Sequence, residues 1–77
     1  MDREPLAIIQ EIIAEEMDIS PQEVREDMNL KEDLEMDETS ITQLLMACEA
    51  EFGVEYELQD MWQIKTVEDV VNSVTEW

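Results

Sequence analysis

Histidine is absent from this 77-residue chain, and glycine and cysteine occur once each, with two prolines. Without histidine there is neither a histidine-based nucleophilic triad nor a histidine metal site. A lone Cys48 forms no internal disulfide and no thiolate zinc site, which fits a reducing cytoplasm. One glycine excludes a glycine-rich phosphate loop. With so few turn formers and many helix formers, short helices joined by brief loops are expected instead of a sheet. No apolar run approaches the roughly 20 residues that cross a bilayer. The start, Met1-Asp2-Arg3-Glu4-Pro5, lacks the charged-then-apolar pattern of a signal peptide. Positive charge is the scarcest resource: Arg3, Arg25, Lys31 and Lys65 face 22 acidic residues, for a formal net charge of −18. Such a field repels nucleic acid and anionic membranes and attracts proteins with basic patches.

What is present is a patterned apolar set. Hydrophobic residues make up 44% of the chain and recur periodically, so the acidity does not mean disorder. Length and pattern predict one small domain spanning residues 1–77. A domain of this size buries only about 60% of its unfolded surface, so the core must be efficient. Self-repulsion among the acids should make the fold depend on salt or divalent ions.

Leu6, Ile9, Ile12, Ile13 and Met17 recur at helical spacing from Pro5 to about Met17, with Pro5 suited to a first turn. Ser20-Pro21-Gln22-Glu23 reads as a capping box opening a short turn that ends by Asp27, with Val24 as its apolar anchor. Met28, Leu30, Leu34 and Met36 are apolar pins in an ordered loop. Asp37 is the expected N-cap of the longest helix, which runs to about Phe52 and stops at Gly53. Its stripe is Ile41, Leu44, Leu45, Cys48 and Phe52, so Cys48 should be a buried, inert thiol. Leu58, Met61 and Ile64 suggest a single helical turn. Thr66-Val67-Glu68-Asp69 resembles a capping box with Asp in place of Glu, opening a last helix that carries Val67, Val70, Val71 and Val74. The fold class is therefore all-α: three main helices plus a short third one.

The acids Asp33, Glu35 and Asp37 suggest an EF-hand, but the later positions do not match. Glu38 stands where the loop needs glycine, and Leu44 where it needs glutamate. No metal site is expected. No pair among so many carboxylates is marked as an acid and a base, so the chain is not expected to be an enzyme.

The run Glu32-Asp33-Leu34-Glu35-Met36-Asp37-Glu38-Thr39 leads into Leu44-Leu45-Met46-Ala47-Cys48-Glu49-Ala50-Glu51-Phe52, and Gly53-Val54-Glu55-Tyr56 and Ile64-Lys65-Thr66-Val67 follow. In order and spacing these segments resemble the acyl carrier protein family over the whole chain, without gaps. The family's pattern is an acidic-Asp-Leu-Gly-x-Asp-Ser-Leu run before the second helix. The resemblance implies a four-helix bundle whose serine, at the start of that helix, bears phosphopantetheine. It also implies docking on biosynthetic enzymes and on a phosphopantetheinyl transferase. Counting forward from Leu34 and back from Phe52 and Gly53 both place the carrier residue at Glu38. Glu35 replaces the family's glycine, and Thr39 its leucine.

Ser40, followed by Ile41, is the nearby hydroxyl that resembles a carrier pair, and it is the candidate attachment residue for phosphopantetheine. The alternative is a first-turn residue in a capping arrangement with Asp37. If Thr39 capped the helix, Ser40 would become the first helical residue. Glu38 is either an ordinary acid favoured by the helix dipole or a carboxylate standing where the phosphate would stand. Docking in the family uses exposed acids of the second helix. Here Asp37, Glu38, Gln43, Glu49, Glu51 and Glu55 are the candidate partner-docking residues, with Gln43, Ser40 and Ala50 diluting the charge. Trp62 is expected in the core, with an exposed partner contact as the alternative. Trp62, Tyr56 and Trp77 are aromatic where smaller or polar residues would be ordinary. The implied function is a monomeric, cytoplasmic module presenting intermediates to, or docking on, basic enzymes of fatty-acid, polyketide or related biosynthesis. The alternative is an interaction or regulatory protein without a prosthetic group.

Overall fold

A computed structural model of the chain describes residues 4–75, which hold four α-helices and no strand. Helix α1 spans Pro5–Met17, α2 Glu38–Phe52, α3 Leu58–Gln63 and α4 Val67–Thr75. One turn of 3-10 helix, Pro21–Glu23, interrupts the connection between α1 and α2. The architecture is the helical bundle that the periodicity implies. Trp77 lies outside the described residues.

Helix α1 starts where Pro5 needs no N–H partner and ends at Asp18, a left-handed C-cap whose N–H bonds the Ala14 carbonyl. Ile9, Ile13 and Ala14 face inward. The Ser20 box forms: the Glu23 carboxylate accepts the Ser20 N–H at 2.8 Å. Val24, fully buried, anchors the turn, and its carbonyl accepts the Gln10 amide of α1 at 2.7 Å.

The connecting segment is ordered as its apolar pins require. Leu30, Leu34 and Met36 are buried and Met28 packs partly against the core. The loop is also stitched to the far end of the chain. Leu30 N–H donates to the Lys65 carbonyl at 2.8 Å and Val67 N–H to the Met28 carbonyl at 3.0 Å, forming an isolated antiparallel bridge between Asn29 and Thr66. This pairing satisfies backbone groups that burial would otherwise leave orphaned.

Helix α2 carries the central stripe: Ile41, Leu44, Leu45 and Cys48 are buried. Each fully buried aliphatic side chain contributes about 1.5–3 kcal/mol. Gly53 ends the helix at φ 71°, with its N–H on the Glu49 carbonyl at 2.9 Å. Helix α4 buries Val67 and Val70 against α1 and α2. Its cap is reciprocal as expected: Asp69 N–H donates to Thr66 Oγ1 and Thr66 N–H to Asp69 Oδ2, both at 3.1 Å. Lys65 N–H adds a third bond to Asp69 Oδ2 at 3.0 Å.

Helix α3 forms where Leu58, Met61 and Ile64 suggest a turn, and it corrects one expectation, that of Trp62. Ile64, just past its end, is buried and Met61 is half-buried, but Leu58 is 67% exposed and Trp62 70% exposed. Trp62 is therefore not a core residue. With six residues, α3 can turn only part of its surface inward, and Met61 takes that place; Leu58 and Trp62, one turn apart, share an outer face.

Candidate functional site

The first turn of α2 is held by Asp37, whose Oδ1 accepts the Ser40 N–H at 2.8 Å. Asp37, not Thr39, is the cap, so Glu38 is the first helical residue and Ser40 the third. The Ser40 amide, then the Ser40 hydroxyl, hold the Asp37 carboxyl below its ordinary range. Asp37, Glu38 and Thr39 are all exposed.

Ser40 points the other way. It is half-buried, and its hydroxyl lies between two carboxyls, those of Asp37 and of Glu16 on α1. Glu16 is the uncomfortable member: its Oε2 is buried with no hydrogen-bond partner. Burial raises its pKa, the Ser40 hydroxyl opposes the rise, and the Asp37 charge adds to it. The Ser40 hydroxyl thus stands where the start of α2 meets the last turn of α1.

Three residues before Glu38 the backbone takes a left-handed turn, as it does at the Asp18 cap of α1. Glu35 sits at φ 57°, in the left-handed region that favours glycine. The following Met36 is buried, with its N–H on the Leu30 carbonyl at 2.9 Å, so the turn at Glu35 delivers the chain into α2 from a pinned position.

The remaining candidate docking residues do not form one acidic face. Gln43 is exposed on the outermost stripe of α2 with Thr39, Met46 and Ala50, none of them charged, and Met46 is 61% exposed. Glu49 is half-buried and occupied, since its Oε2 accepts the Tyr56 N–H at 2.9 Å. Glu51 lies on the opposite edge, beside the groove between α2 and α1 that Ile12, Glu16 and Ala47 line. Glu55 is exposed in the loop before α3, near Glu57 and Asp60. Cys48 is fully buried, and burial, with a smaller contribution from Glu51, pushes its thiol up to about 12. It is inert at neutral pH, as its place on the stripe predicts.

Comparison with known proteins matches residues 7–74 to the family described as "Phosphopantetheine attachment site". This chain belongs to the acyl carrier protein family. An acyl carrier protein of Rubrobacter xylanophilus is 39% identical over 77 residues, covering 99% of this chain and 95% of that protein. One of Petrotoga mobilis is 38% identical over 68 residues, covering 88% and 80%. Among solved structures, an acyl carrier protein of Enterococcus faecalis superposes with a TM-score of 0.79 at 32% identity, covering 95% of this chain and 92% of that one. Acyl carrier proteins are carriers, not enzymes, and phosphopantetheine is the prosthetic group of the family.

The residues at the start of α2 do not fit an ordinary serine ester of that group. The side chain that leaves the first helical position is Glu38, a carboxylate without a hydroxyl. The hydroxyl two residues on, Ser40, is turned toward Glu16 and Asp37. Thr39 presents an exposed secondary alcohol that the sequence reading did not consider. Its exposure depends on the cap being Asp37, which fixes the rotation of the whole first turn.

Proposed function

We propose that this acyl-carrier-family chain is a monomeric, cytoplasmic docking module for biosynthetic enzymes with basic patches, and that the α2 start serves it without a serine-linked arm. The observation that carries the reading is Glu38: exposed, first in α2, and three residues after a left-handed Glu35. In the family's pattern, glycine precedes the carrier serine by the same three residues, so the backbone at Glu35 supports the count that puts Glu38 at the carrier position. A carboxylate there keeps negative charge at a helix N-terminus, where the dipole favours it by about 0.3–1 kcal/mol. Asp37, Glu38 and Glu55 remain exposed acids for a basic partner. Gln43 and Met46 would meet apolar or neutral surface on that partner.

Co-expression with a broad phosphopantetheinyl transferase, read by intact mass, tests the reading. The wild-type chain should gain nothing, whereas Glu38→Ser should gain one phosphopantetheine. A wild-type gain lost in Ser40→Ala would make Ser40 the attachment residue and the chain a true carrier. A gain lost only in Thr39→Ala would assign the arm to Thr39. Either gain overturns the arm-less reading. A second reading, an interaction protein with no tie to acyl chemistry, is favoured by the uncharged outer stripe of α2. Binding of basic biosynthetic enzymes that weakens sharply with salt would count against it.

A further inference from the structure

The groove between α1 and α2 has an apolar floor and an acidic rim. Ile12, Glu15 and Glu16 of α1 face Ala47, Ala50 and Glu51 of α2 across a volume of about 390 Å3. The α2 residues are spaced i, i+3 and i+4, so they share one side of the helix, and Ile12, Glu15 and Glu16 repeat that spacing on α1. Two of the three from α2 are alanines, whose short side chains keep the groove open. Glu15 and Glu51 are exposed at its rim, and Glu16 is half-buried. One oxygen of Glu16, Oε2, is buried and accepts no hydrogen bond. A buried carboxylate oxygen without a donor is costly, and native structures satisfy such atoms with few exceptions. No lysine or arginine among the described residues lines the groove, so the chain itself supplies no cation there.

We infer that this groove takes an arginine side chain from a partner protein, its methylene stem along Ile12, Ala47 and Ala50 and its guanidinium between Glu16 and the rim acids. The inference rests on the docking reading above and deepens it. It names the residue that a basic partner inserts, and it places that residue on the α1 side of α2, in a groove that neither Glu38 nor Glu55 lines. An apolar floor below an acidic rim suits a side chain with an aliphatic stem and a cationic head. A guanidinium carries five donors in a planar fork, so it serves two carboxylates at once and supplies the donor that Glu16 Oε2 lacks; a lysine ammonium has no such fork. A metal ion is not the match, because no set of acids among the described residues is grouped closely enough to hold one. Free arginine bears a carboxylate of its own, which the rim acids and the net charge of −18 repel, whereas an arginine within a polypeptide does not.

Titration of the full chain with a capped alanine–glutamine helical peptide bearing one central arginine, followed by amide and side-chain NMR shifts, tests the inference. The peptide should bind saturably, with shifts centred on the six groove residues. Its citrulline analogue, which keeps the shape but not the charge, should give no saturable shift, and free L-arginine should bind more weakly. Glu16→Gln retains an acceptor for Ser40 and is expected to leave the fold intact. It should raise the peptide Kd about five- to tenfold, between the effect of an exposed ion pair and that of a charge-assisted hydrogen bond. Ala50→Leu, at an exposed position, keeps every charge and narrows the groove, and it should weaken binding as well. The double variant Glu38→Gln with Glu55→Gln removes exposed acids of the docking reading and should leave peptide binding unchanged, so the two readings fail separately. Absence of saturation, shifts centred on the start of α2, equal binding of the citrulline peptide or of free arginine, loss of binding in the double variant, or an unchanged Kd in Glu16→Gln or Ala50→Leu would overturn it.

Discussion

The starts of α2 and α4 are built from the same materials and do different things. At α4, Thr66 and Asp69 satisfy each other's amides, and Asp69 also takes the Lys65 N–H. Its side chains close the cap between themselves, and the first two amides of the helix, those of Val67 and Glu68, donate to the Met28 and Glu26 carbonyls of the loop before α2 and to no other helix. At α2, Asp37 holds the Ser40 amide, but the Ser40 hydroxyl reaches to Glu16 on α1, and Glu38 and Thr39 are left facing solvent. One start is a device for ending a loop. The other spends stability on an exposed face, with a strained residue before it and an unpartnered carboxylate oxygen behind it. In a small domain, departures of this kind collect where a surface is used.

The comparison can be broken most severely at α4. Asp69→Ala removes the acceptor of two amides and should lower stability by about 1–2 kcal/mol, read as a fall in thermal midpoint of roughly 4–8 °C per kcal/mol. Changes near α2 should be smaller and some should stabilise. Glu35→Gly relieves the left-handed backbone, offset by added freedom in the unfolded chain, for a net gain of about 0.5–1 kcal/mol in chemical denaturation. Glu16→Gln keeps an acceptor for Ser40 but removes the poorly solvated charge. After allowance for solvent screening, it should stabilise the fold by about 0.5 kcal/mol at neutral pH.

The sign of that last effect follows from proton binding. The folded Glu16 pKa lies above the ordinary value of 4.5, so the native state holds the proton more tightly. The associated stability is present below about 4.5 and is lost as pH rises through the folded value; the advantage of glutamine should therefore vanish in acid. Asp37 behaves oppositely. Its folded pKa is lowered from 3.8, so its contribution is present above that value and disappears as pH falls through the folded one. Asp37→Asn should show the smallest effect, a shallower acid limb in the stability–pH curve. If Asp37→Asn destabilised the chain more than Asp69→Ala, the distinction between the two starts would fail.

The fold was legible in the sequence to the extent that side-chain spacing and caps determine it. The limits of α1 and α2 follow from Pro5, Asp37 and Gly53, and α4 follows from the Thr66 box. The buried loop pins Leu30, Leu34 and Met36 were legible because apolar residues in an acidic chain need a destination. Trp62 and Leu58 were not, because six residues set no periodicity that distinguishes an inner from an outer side. The site was legible in position but not in rotation. Counting placed Glu38 and Ser40 near a helix start, yet the contact between Ser40 and Glu16 depends on how α1 packs, which no local spacing contains. Glu49 read as a free acid for the same reason: its bond to the Tyr56 amide crosses the end of α2.

That pairing, between Asn29 and Thr66, has a consequence in time. Joining segments so far apart costs loop-closure entropy before any contact rewards it, so the bridge belongs to the late part of folding. Helices α1 and α2 can form from local contacts, while the long connection between them acquires its final shape only when the residues before α4 arrive. The amides of Leu30 and Val67, each bonded across the bridge, should then exchange with solvent in one cooperative opening. A chain with its last third undocked would retain helical turns but would lack the order of the segment that leads into Glu38.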